Sequence, residues 1–385
     1  MRRAPDVCSF LPPHILRKIA ENSDGEMRET AHATLEASAQ LRGERAALAL
    51  VTGEIAIPAG EKRRTVYDAQ HGRQLPGKLV RGEGDAPTGD AAADEAYDGA
   101  GKTYDFYRKV FNRNSVDDRG LRLDSSVHYS TNFDNAQWNG RQMIYGDGDG
   151  KLFNRFTKCL DIIGHELTHG VTQYTANLEY DAQSGALNEA FSDIFGIMVK
   201  QYALKQTSAK SDWLIGQGIF TSRVSGDAVR SMKAPGTAYD DKIIGRDPQP
   251  AHMRDYKRMT SDNGGVHINS GIPNHAFYCL ATLLGGKSWE IAGPIWYATL
   301  TRKLTPRAQF RDCADATFEA AGELYGAGSG PQHAVVQAWK AVGIEISAAV
   351  VNAGPRLRVR EYVPPAAAAE MPLVRSPRKP PRAAK

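Results

Sequence analysis

The sequence is poor in cysteine and contains no long hydrophobic run. Its four cysteines stand singly along the 385 residues and none forms a CxxC pair, which argues against a disulfide scaffold and a thiolate zinc ribbon. No segment approaches the roughly 18–20 uninterrupted apolar residues that span a bilayer. The opening "MRRAPDVCSFLPPHILRKIA" lacks the apolar core and small-residue cleavage site of a secretion signal. We therefore expect neither a membrane span nor an ordinary signal peptide.

A strong overall charge is also absent, because the net charge is only +4. Residues 353–385 hold eight Lys or Arg residues against two acidic ones, so this tail accounts for the whole positive balance. The tail is rich in Pro, Ala and Arg without apolar periodicity, and we expect residues 352–385 to be disordered. A basic tail attracts nucleic acid or anionic lipid without specificity, but it more commonly serves solubility. We expect no specific nucleic-acid partner.

The sequence pattern changes several times along the chain. Residues 1–50 contain two helical patterns, and residues 51–63 break the helix and are typical of a linker. Residues 64–178 carry short alternating apolar stretches among many Gly, Asp and Asn residues, which predict a strand-rich lobe with one helix near 93–111 and another at its end. Residues 179–351 are predicted to form a helical lobe. This order predicts an α+β fold of two lobes with a cleft between them.

The segment "HELTH", residues 165–169, allows two interpretations: a metal site, or a buried helix that contains these residues by chance. On an α-helix His165 and His169 lie one turn apart on the same face, at a separation suited to one ion. Glu166 lies about 100° around the helix, beside the ion rather than on it. That position suits a carboxylate that takes a proton from a metal-bound water.

Two histidines leave a catalytic zinc one short of its usual three protein ligands. The next helical pattern, "SGALNEAFSDIFG", supplies Glu189, with Asp193 one turn later, where it could accept the spare N–H of a ligand histidine. The alternative is a solvated acidic stripe on a surface helix. The apolar neighbours of both residues indicate a buried helix instead, and buried carboxylates require a partner. We therefore favour Glu189 as the third ligand.

Four segments resemble the thermolysin family of zinc endopeptidases, in the same order and with similar separations: "NAQWNGRQMIYGDGDG", "HELTH", "GALNEAFSD" and "DNGGVHINSG". The resemblance covers about residues 60–345, and the start "CSFLPPHIL" is similar to the propeptide of the protealysin subgroup. It implies a two-lobed α+β protease, with a strand-rich N-terminal lobe, a helical C-terminal lobe and the active-site helix between them.

The resemblance also implies the catalytic residues. One zinc ion would be held by His165, His169 and Glu189, and Glu166 would be the general base when a zinc-bound water attacks a peptide bond. The implied partners are protein and peptide substrates. The rival is a non-catalytic binding protein on the same fold. Glu166 and His267 together argue against this rival, because binding alone needs neither.

A tetrahedral oxyanion needs donors besides the metal. By the resemblance these are His267, with Asp262 as the carboxylate that orients it, and Tyr180. Judged from its sequence context alone, His267 could equally be an ordinary loop histidine.

The same resemblance implies the substrate contacts. Asn135 and Ala136 would hold an extended substrate by strand addition, although Asn and Gly are also common in plain turns. Arg230 would bind the carbonyl beyond the cleaved bond, although a single arginine is usually a surface residue. Four residues would form an apolar pocket that prefers a bulky side chain such as Leu or Phe after the cleaved bond: Phe153, Phe156, Ile162 and Val229.

The segment "YGDGDG" suits a calcium or phosphate ligand, and a hairpin turn explains it equally well. Relatives with a paired calcium site place an acidic residue where this chain has Lys200, although Asp161 is retained and Asp212 follows. We therefore expect no double calcium site and little dependence of stability on calcium.

The N-terminal unit suggests an inhibitor. Pro12 and Pro13 favour an extended backbone, and Cys8 just before them could place a thiolate on the open position of a zinc ion. The alternative is that Cys8 is a small buried residue. Resemblance to protealysin precursors implies that residues 1–50 keep the enzyme latent as its own propeptide until they are removed.

The remaining histidines have no partner pattern, and we assign them ordinary structural roles: His14, His32, His71, His128, His252, His275 and His333. The resemblance implies a secreted protein, while the missing secretion signal keeps a cytoplasmic location as the alternative. We expect a monomer.

Overall fold

The structure, a computed structural model, describes residues 9–48 and 61–353. Within these ranges the α-helices are α1 Pro13–Asn22, α2 Gly25–Leu48, α3 Ala91–Phe111, α4 Leu160–Gln173, α5 Ala182–Leu204, α6 Asp262–Asn269, α7 Gly271–Leu284, α8 Ala292–Arg302, α9 Phe310–Tyr325, α10 Gly330–Ala341 and α11 Ala348–Ala353. The strands are β1 Arg64–Asp68, β2 Lys78–Arg81, β3 Leu123–Val127, β4 Ala136–Trp138, β5 Met143–Tyr145, β6 Leu214–Ile215, β7 Arg230–Ser231, β8 Asp240–Asp241 and β9 Gly245–Arg246. Strands dominate before α4 and helices after it, as the α+β prediction requires.

A five-stranded mixed sheet organises the first lobe, in the order β2-β1-β3-β5-β4. The three central strands β1, β3 and β5 are parallel, and the two outer strands run antiparallel to their neighbours. The carboxyl ends of the parallel strands therefore meet at one edge of the sheet. α3 packs against this sheet, and α4 packs against both α3 and β4.

Two glycines let α4 and α5 approach each other closely. A Cβ atom on Gly196 would lie 2.5 Å from the carbonyl oxygen of Asp161, and one on Gly164 would lie 3.0 Å from the Cα of Gly196. Real Cβ atoms are essentially never found less than 3.0 Å from backbone, so a larger residue at position 196 would push the helices apart, and one at position 164 would make an unusually tight contact. This contact brings the "HELTH" segment on α4 next to Glu189 on α5.

The N-terminal helices pack onto the strand-rich lobe. Leu41 of α2 is buried in a cluster with Tyr129, Phe133 and Ile144, and the hydroxyl of Thr34 accepts a hydrogen bond from the backbone N–H of Asp134. The segment just before α1 pairs with β4 through a bridge between Ser9 and Gln137.

Several predicted regions lie outside the described residues: Cys8, most of the 51–63 linker, and the 354–385 part of the tail. The domain boundaries at residues 50, 63, 178 and 351 stay predictions. None of the helices within 9–48 and 61–353 is both long and apolar enough to cross a membrane.

Candidate active site

The helix that carries "HELTH" is buried along almost its whole length. Residues 161–172 of α4 are all buried, and His165 and Glu166 are fully inaccessible to solvent. On α5, Glu189 and Asp193 are buried as well. A solvated acidic stripe is therefore excluded for these two carboxylates, and each requires a buried partner.

The three predicted metal ligands converge on one point. The Nε2 atoms of His165 and His169 are 3.0 Å apart. The carboxylate of Glu189 lies 3.5 Å from the first nitrogen and 3.4 Å from the second. Ligand atoms about 2.0–2.1 Å from a tetrahedral zinc ion are about 3.3 Å apart. The donor spacing thus fits a single zinc ion.

Hydrogen bonds on the far side of each ring set the protonation of the histidines. His165 Nδ1 lies 2.8 Å from a carboxylate oxygen of Asp193, which can only accept. His169 Nδ1 lies 2.9 Å from the amide oxygen of Asn188, whose NH2 group is turned away to donate to the carbonyl of Leu178. Both Nδ1 atoms are therefore donors, so in the neutral form of each ring the Nε2 lone pair faces the shared point. Two lone pairs 3.0 Å apart repel unless a cation lies between them, so this arrangement fits a metal ion.

Asp193 connects the metal ligands to Arg230. The guanidinium of Arg230 donates twice to this carboxylate at 2.8 Å, and the side-chain amide of Asn274 donates to it at 2.8 Å. Burial alone raises the pKa of Asp193, but the charge of Arg230 and the hydrogen bond from His165 outweigh burial and hold the pKa well below its usual value. Asp193 therefore stays ionised and orients both His165 and Arg230.

Glu166 lies beside the three predicted ligands, and a backbone N–H of β4 holds its carboxylate in place. One of its carboxylate oxygens accepts a hydrogen bond of 2.7 Å from the backbone N–H of Trp138. A carboxylate oxygen of Glu166 lies within 4.8 Å of nitrogens of both His165 and His169. This position next to the ligands is the one that the sequence predicts for a general base.

His267, Asp262 and Tyr180 form a second group at the same point. His267 Nδ1 lies 2.6 Å from a carboxylate oxygen of Asp262, and His267 Nε2 lies 3.1 Å from the hydroxyl of Tyr180. Burial lowers the pKa of His267, but Asp262 and Glu189 together raise it to about 9. A protonated His267 and the Tyr180 hydroxyl are thus both donors that face the ligand cluster.

The cleft contains a strand-like piece of the chain's own N-terminus. Ser9 forms an antiparallel bridge with Gln137, the next residue donates its N–H to the carbonyl of Ala136 at 3.0 Å, and Leu11 donates its N–H to the side chain of Asn135 at 2.8 Å. The carbonyl oxygen of Ser9 lies 2.9 Å from His267 Nε2. This segment therefore uses the contacts that the sequence predicts for a substrate backbone.

Phe10 fills an apolar pocket next to the metal ligands. Its ring is fully buried and contacts His165 edge-on, with the ring centroids 5.4 Å apart. It also lies edge-on to Phe156, at 6.4 Å, and its carbonyl accepts a hydrogen bond of 3.1 Å from Arg230. A Cβ on Gly216 would meet both the Phe10 ring, at 3.0 Å, and Val229, at 3.3 Å.

The other two predicted pocket residues are buried as well. Phe153 packs on Phe156 with ring centroids 6.1 Å apart, and Ile162 belongs to the same hydrophobic cluster.

Lys200 lies between two of the carboxylates that the sequence analysis considered for calcium. Lys200 Nζ lies 3.4 Å from the carboxylate of Asp161 and 3.2 Å from that of Asp212. In "YGDGDG", Asp149 accepts hydrogen bonds of 2.7–3.0 Å from the backbone N–H groups of the three residues 151–153. The ammonium is a positively charged partner for both carboxylates in the first case, and a turn explains the Asp149 carboxylate in the second. The absence of a double calcium site stays a prediction.

Several contributing residues were missed by the sequence analysis. Asn188 and Ser192 both contact His169 Nδ1, at 2.9 and 3.0 Å, and Asn274 reaches Asp193 from α7. Asn188 directly precedes Glu189 in the segment "GALNEAFSD", so its position beside a predicted ligand could have indicated its role. Asn274 lies far away in sequence, and no local pattern marks it.

The fold and the donor set define a two-lobed metallopeptidase, and the comparisons give its family. Residues 52–173 match the thermolysin metallopeptidase catalytic domain, and residues 176–344 match the thermolysin metallopeptidase alpha-helical domain. The chain belongs to the thermolysin metallopeptidase family, and it is accordingly a zinc metalloprotease with the predicted α+β fold.

Relatives cover most of the chain. An extracellular metalloprotease of Pectobacterium carotovorum subsp. carotovorum is 50% identical over 345 residues, which is 88% of this chain and 97% of the relative. A solved precursor of protealysin, a metalloproteinase from Serratia proteamaculans, is 49% identical with a TM-score of 0.80, covering 88% of this chain and 99% of that one. A thermolysin of Alicyclobacillus acidocaldarius subsp. acidocaldarius is 43% identical over 72% of this chain and 50% of the relative.

Proposed function

We propose that the chain is a zymogen of a neutral endopeptidase that cleaves peptide bonds on the N-terminal side of bulky hydrophobic residues. The observation that carries this proposal is the convergence of His165, His169 and Glu189 beside a buried Glu166. A substrate-like segment of the same chain lies across these residues, with a phenylalanine in the adjoining pocket. A non-catalytic binding protein would need the cleft but not this set of groups.

The protein groups then have separate tasks. His165, His169 and Glu189 would hold a zinc ion, which would supply Lewis-acid chemistry: polarisation of the scissile carbonyl and a lower pKa of water. Glu166 takes the proton of the attacking water and passes it to the leaving amine. His267 and Tyr180 donate hydrogen bonds to the developing oxyanion, and the loss of such a donor typically costs about 10²–10³-fold in turnover.

Substrate positioning follows from the contacts of the N-terminal segment. Asn135 and Ala136 hold the substrate backbone as an added strand, and Arg230 binds the carbonyl after the cleaved bond. The position of Arg230 depends on Asp193, whose carboxylate accepts two hydrogen bonds from the guanidinium.

The pocket that Phe10 fills supports the proposed specificity. It is lined by buried apolar side chains, so it favours Leu or Phe and disfavours a charged residue after the cleaved bond. A peptide panel that differs only at this position should give faster cleavage for Leu and Phe than for Asp or Glu. Equal rates would contradict the proposed pocket.

We propose that residues 1–50 are an inhibitory propeptide and that cleavage within residues 51–63 releases it. The support is that Ser9 and Phe10 occupy the places of a substrate backbone and side chain. The mature enzyme then comprises lobes 64–178 and 179–351. The proposed role of Cys8 as a zinc ligand concerns a residue outside the described ranges. If it is correct, Cys8→Ser in the uncut chain should raise activity.

We further propose that the protein acts as a secreted monomer. The support for secretion is that the Pectobacterium relative is named extracellular. Light scattering on the purified chain should give a mass near the sequence value of 42.0 kDa, and twice that mass would contradict the monomer.

The decisive experiment is casein hydrolysis by the activated protein and by Glu166→Gln, each freed of residues 1–50 by an added protease. We expect turnover to fall by at least about 10²-fold, the lower end for loss of a general base, while the zinc content stays at that of the parent. Glu323→Gln, which changes an exposed carboxylate on α9, is the matched control and should leave turnover unchanged. Full activity in Glu166→Gln would reject the proposed mechanism.

A further inference from the structure

Two groups of His, Asp and Glu side chains in the described ranges could hold a metal ion, and one of them lies outside the active site. It consists of His71, His128 and Asp147. These residues follow β1, β3 and β5, the three parallel strands, so they meet at the carboxyl edge of the sheet. No local sequence pattern joins them, because they are far apart along the chain.

The side chains point at one another over short distances. His128 Nδ1 lies 2.9 Å from both carboxylate oxygens of Asp147. His71 Nδ1 lies 3.6 Å from the same carboxylate, and the two imidazole rings are 5.5 Å apart at an angle of 55°. One ligand atom from each residue lies within 4.8 Å of the others. Ligands of one zinc ion are about 3.3 Å apart, a spacing that small rotations of the exposed His71 can reach.

The outer nitrogen of His128 already has an acceptor. Its Nε2 lies 3.3 Å from a carboxylate oxygen of Asp90, whose other oxygen accepts the N–H of Ala93 as the N-cap of α3. Asp90 is therefore fixed in place by the helix. A metal-ligating histidine usually donates its other N–H to a carboxylate, which orients the ring. His128 has this arrangement, with Nδ1 left to face Asp147.

The backbone holds the first two residues in place. His71 donates its N–H to the carbonyl of His128 at 2.9 Å, and both residues have positive φ angles, of 59° and 53°. Left-handed backbone is uncommon for residues other than glycine and is kept where the surrounding structure enforces it. The two loops are thus joined independently of any ion.

The local charge favours a cation. The hydrogen bond between His128 and Asp147 and the charges of Asp147, Asp90 and Asp68 raise the pKa of His128 to about 9, so the surrounding carboxylates favour a positive charge. The guanidinium of the nearby cation Arg155 is engaged in two hydrogen bonds with Glu95. His71, the most exposed member, keeps the cluster open to solvent, with 60% of its side chain accessible.

We propose that His71, His128 and Asp147 form a second metal site, which binds a divalent first-row metal ion such as zinc. Two imidazole nitrogens and one carboxylate suit zinc, cobalt or nickel, whereas calcium and magnesium prefer oxygen ligands throughout. The site has three protein ligands and room for water. An ion there ties together the loops after three strands of the sheet and stabilises the strand-rich lobe.

The test is a metal count on the full chain carrying Glu166→Gln, with gels confirming that residues 1–50 are still attached. After loading with zinc and removal of free metal on a desalting column, we expect about two ions per chain, one in each site. Adding His71→Ala should leave about one. The matched control His32→Ala removes an exposed histidine of α2 and should keep about two. The ion that remains in the catalytic site shows that the His71→Ala chain is folded.

Cobalt titration gives a second measurement, because bound cobalt absorbs in the visible. The parent should show a second set of bands that is lost in Asp147→Asn and kept in His32→Ala. A parent chain that binds one ion, or a second ion that persists in both His71→Ala and Asp147→Asn, would overturn the proposal. In that case the cluster is an ion pair only. The outcome does not depend on whether the catalytic site cleaves peptides.

Discussion

The stability that Lys200 contributes depends on the two carboxylates beside it. Its ammonium lies between the carboxylates of Asp161 and Asp212 and also donates to the carbonyl of Leu214, at 3.1 Å. Burial raises the pKa of Asp161, and the lysine opposes that effect. One Asp161 oxygen has no hydrogen-bond partner among the described residues. The pair therefore stabilises the fold only while both partners are present.

Replacing Lys200 by methionine should destabilise the protein by about 3–5 kcal/mol at neutral pH, because it leaves a buried carboxylate unpaired. The deficit should shrink as the pH falls, since protonation of Asp161 removes the unpaired charge. Urea unfolding at several pH values measures both effects. Lys210→Met, at an exposed position, is the control. A loss that stays the same at every pH would speak against the unpaired carboxylate.

The segment before α1 behaves as a bound strand. It pairs with the edge strand β4 through Ser9 and Gln137, and it places Phe10 in the pocket. Burial of a phenylalanine side chain contributes about 1.5–3 kcal/mol, so the pocket contact supplies a substantial part of the affinity of this segment for the cleft.

In the uncut chain, Phe10→Ala should therefore increase the fraction of molecules with an open cleft by about 10–100-fold, the factor that corresponds to this burial energy. The measurement is the initial rate on a short peptide before gels show any N-terminal cleavage. Arg17→Ala, an exposed residue of α1, serves as the control and should stay latent. If uncut Phe10→Ala is as inactive as the parent, the pocket contact does not maintain latency.

The two lobes of the molecule meet along α4 and α5, where the predicted zinc ligands lie. Removal of zinc leaves two buried imidazoles and a buried carboxylate without their cation, so folding and metal binding are coupled. A ligand at about a thousandfold excess over its Kd stabilises a protein by about 4 kcal/mol. Lys200, by contrast, already places a positive charge beside Asp161.

We therefore expect phenanthroline to abolish activity and lower the Tm, while EGTA at calcium-selective concentrations changes neither. The His71→Ala background removes the proposed second metal site from this comparison. Thermal scans with and without each chelator provide the measurement. A fall in Tm with EGTA that added calcium reverses would show a stabilising calcium ion and contradict the role of Lys200.

The catalytic helix could be predicted because its information is local. His165 and His169 share a face through helix periodicity alone, and the apolar neighbours of Glu189 and Asp193 predict their burial. The comparisons confirm the two-lobed α+β fold and the zinc-protease family, whereas the individual roles of the site residues stay predictions.

Contacts between segments that lie far apart in the sequence could not be predicted from local sequence patterns. Local patterns in the chain specify which side chains share a helix face or a strand face, because helix and strand periodicities act over a few residues. Folding decided that Phe10 fills the pocket, that Asn274 supports Asp193, and that His71 and His128 meet Asp147. Those contacts depend on how helices and strands pack, and packing is set by the shapes of surfaces that lie far apart along the chain.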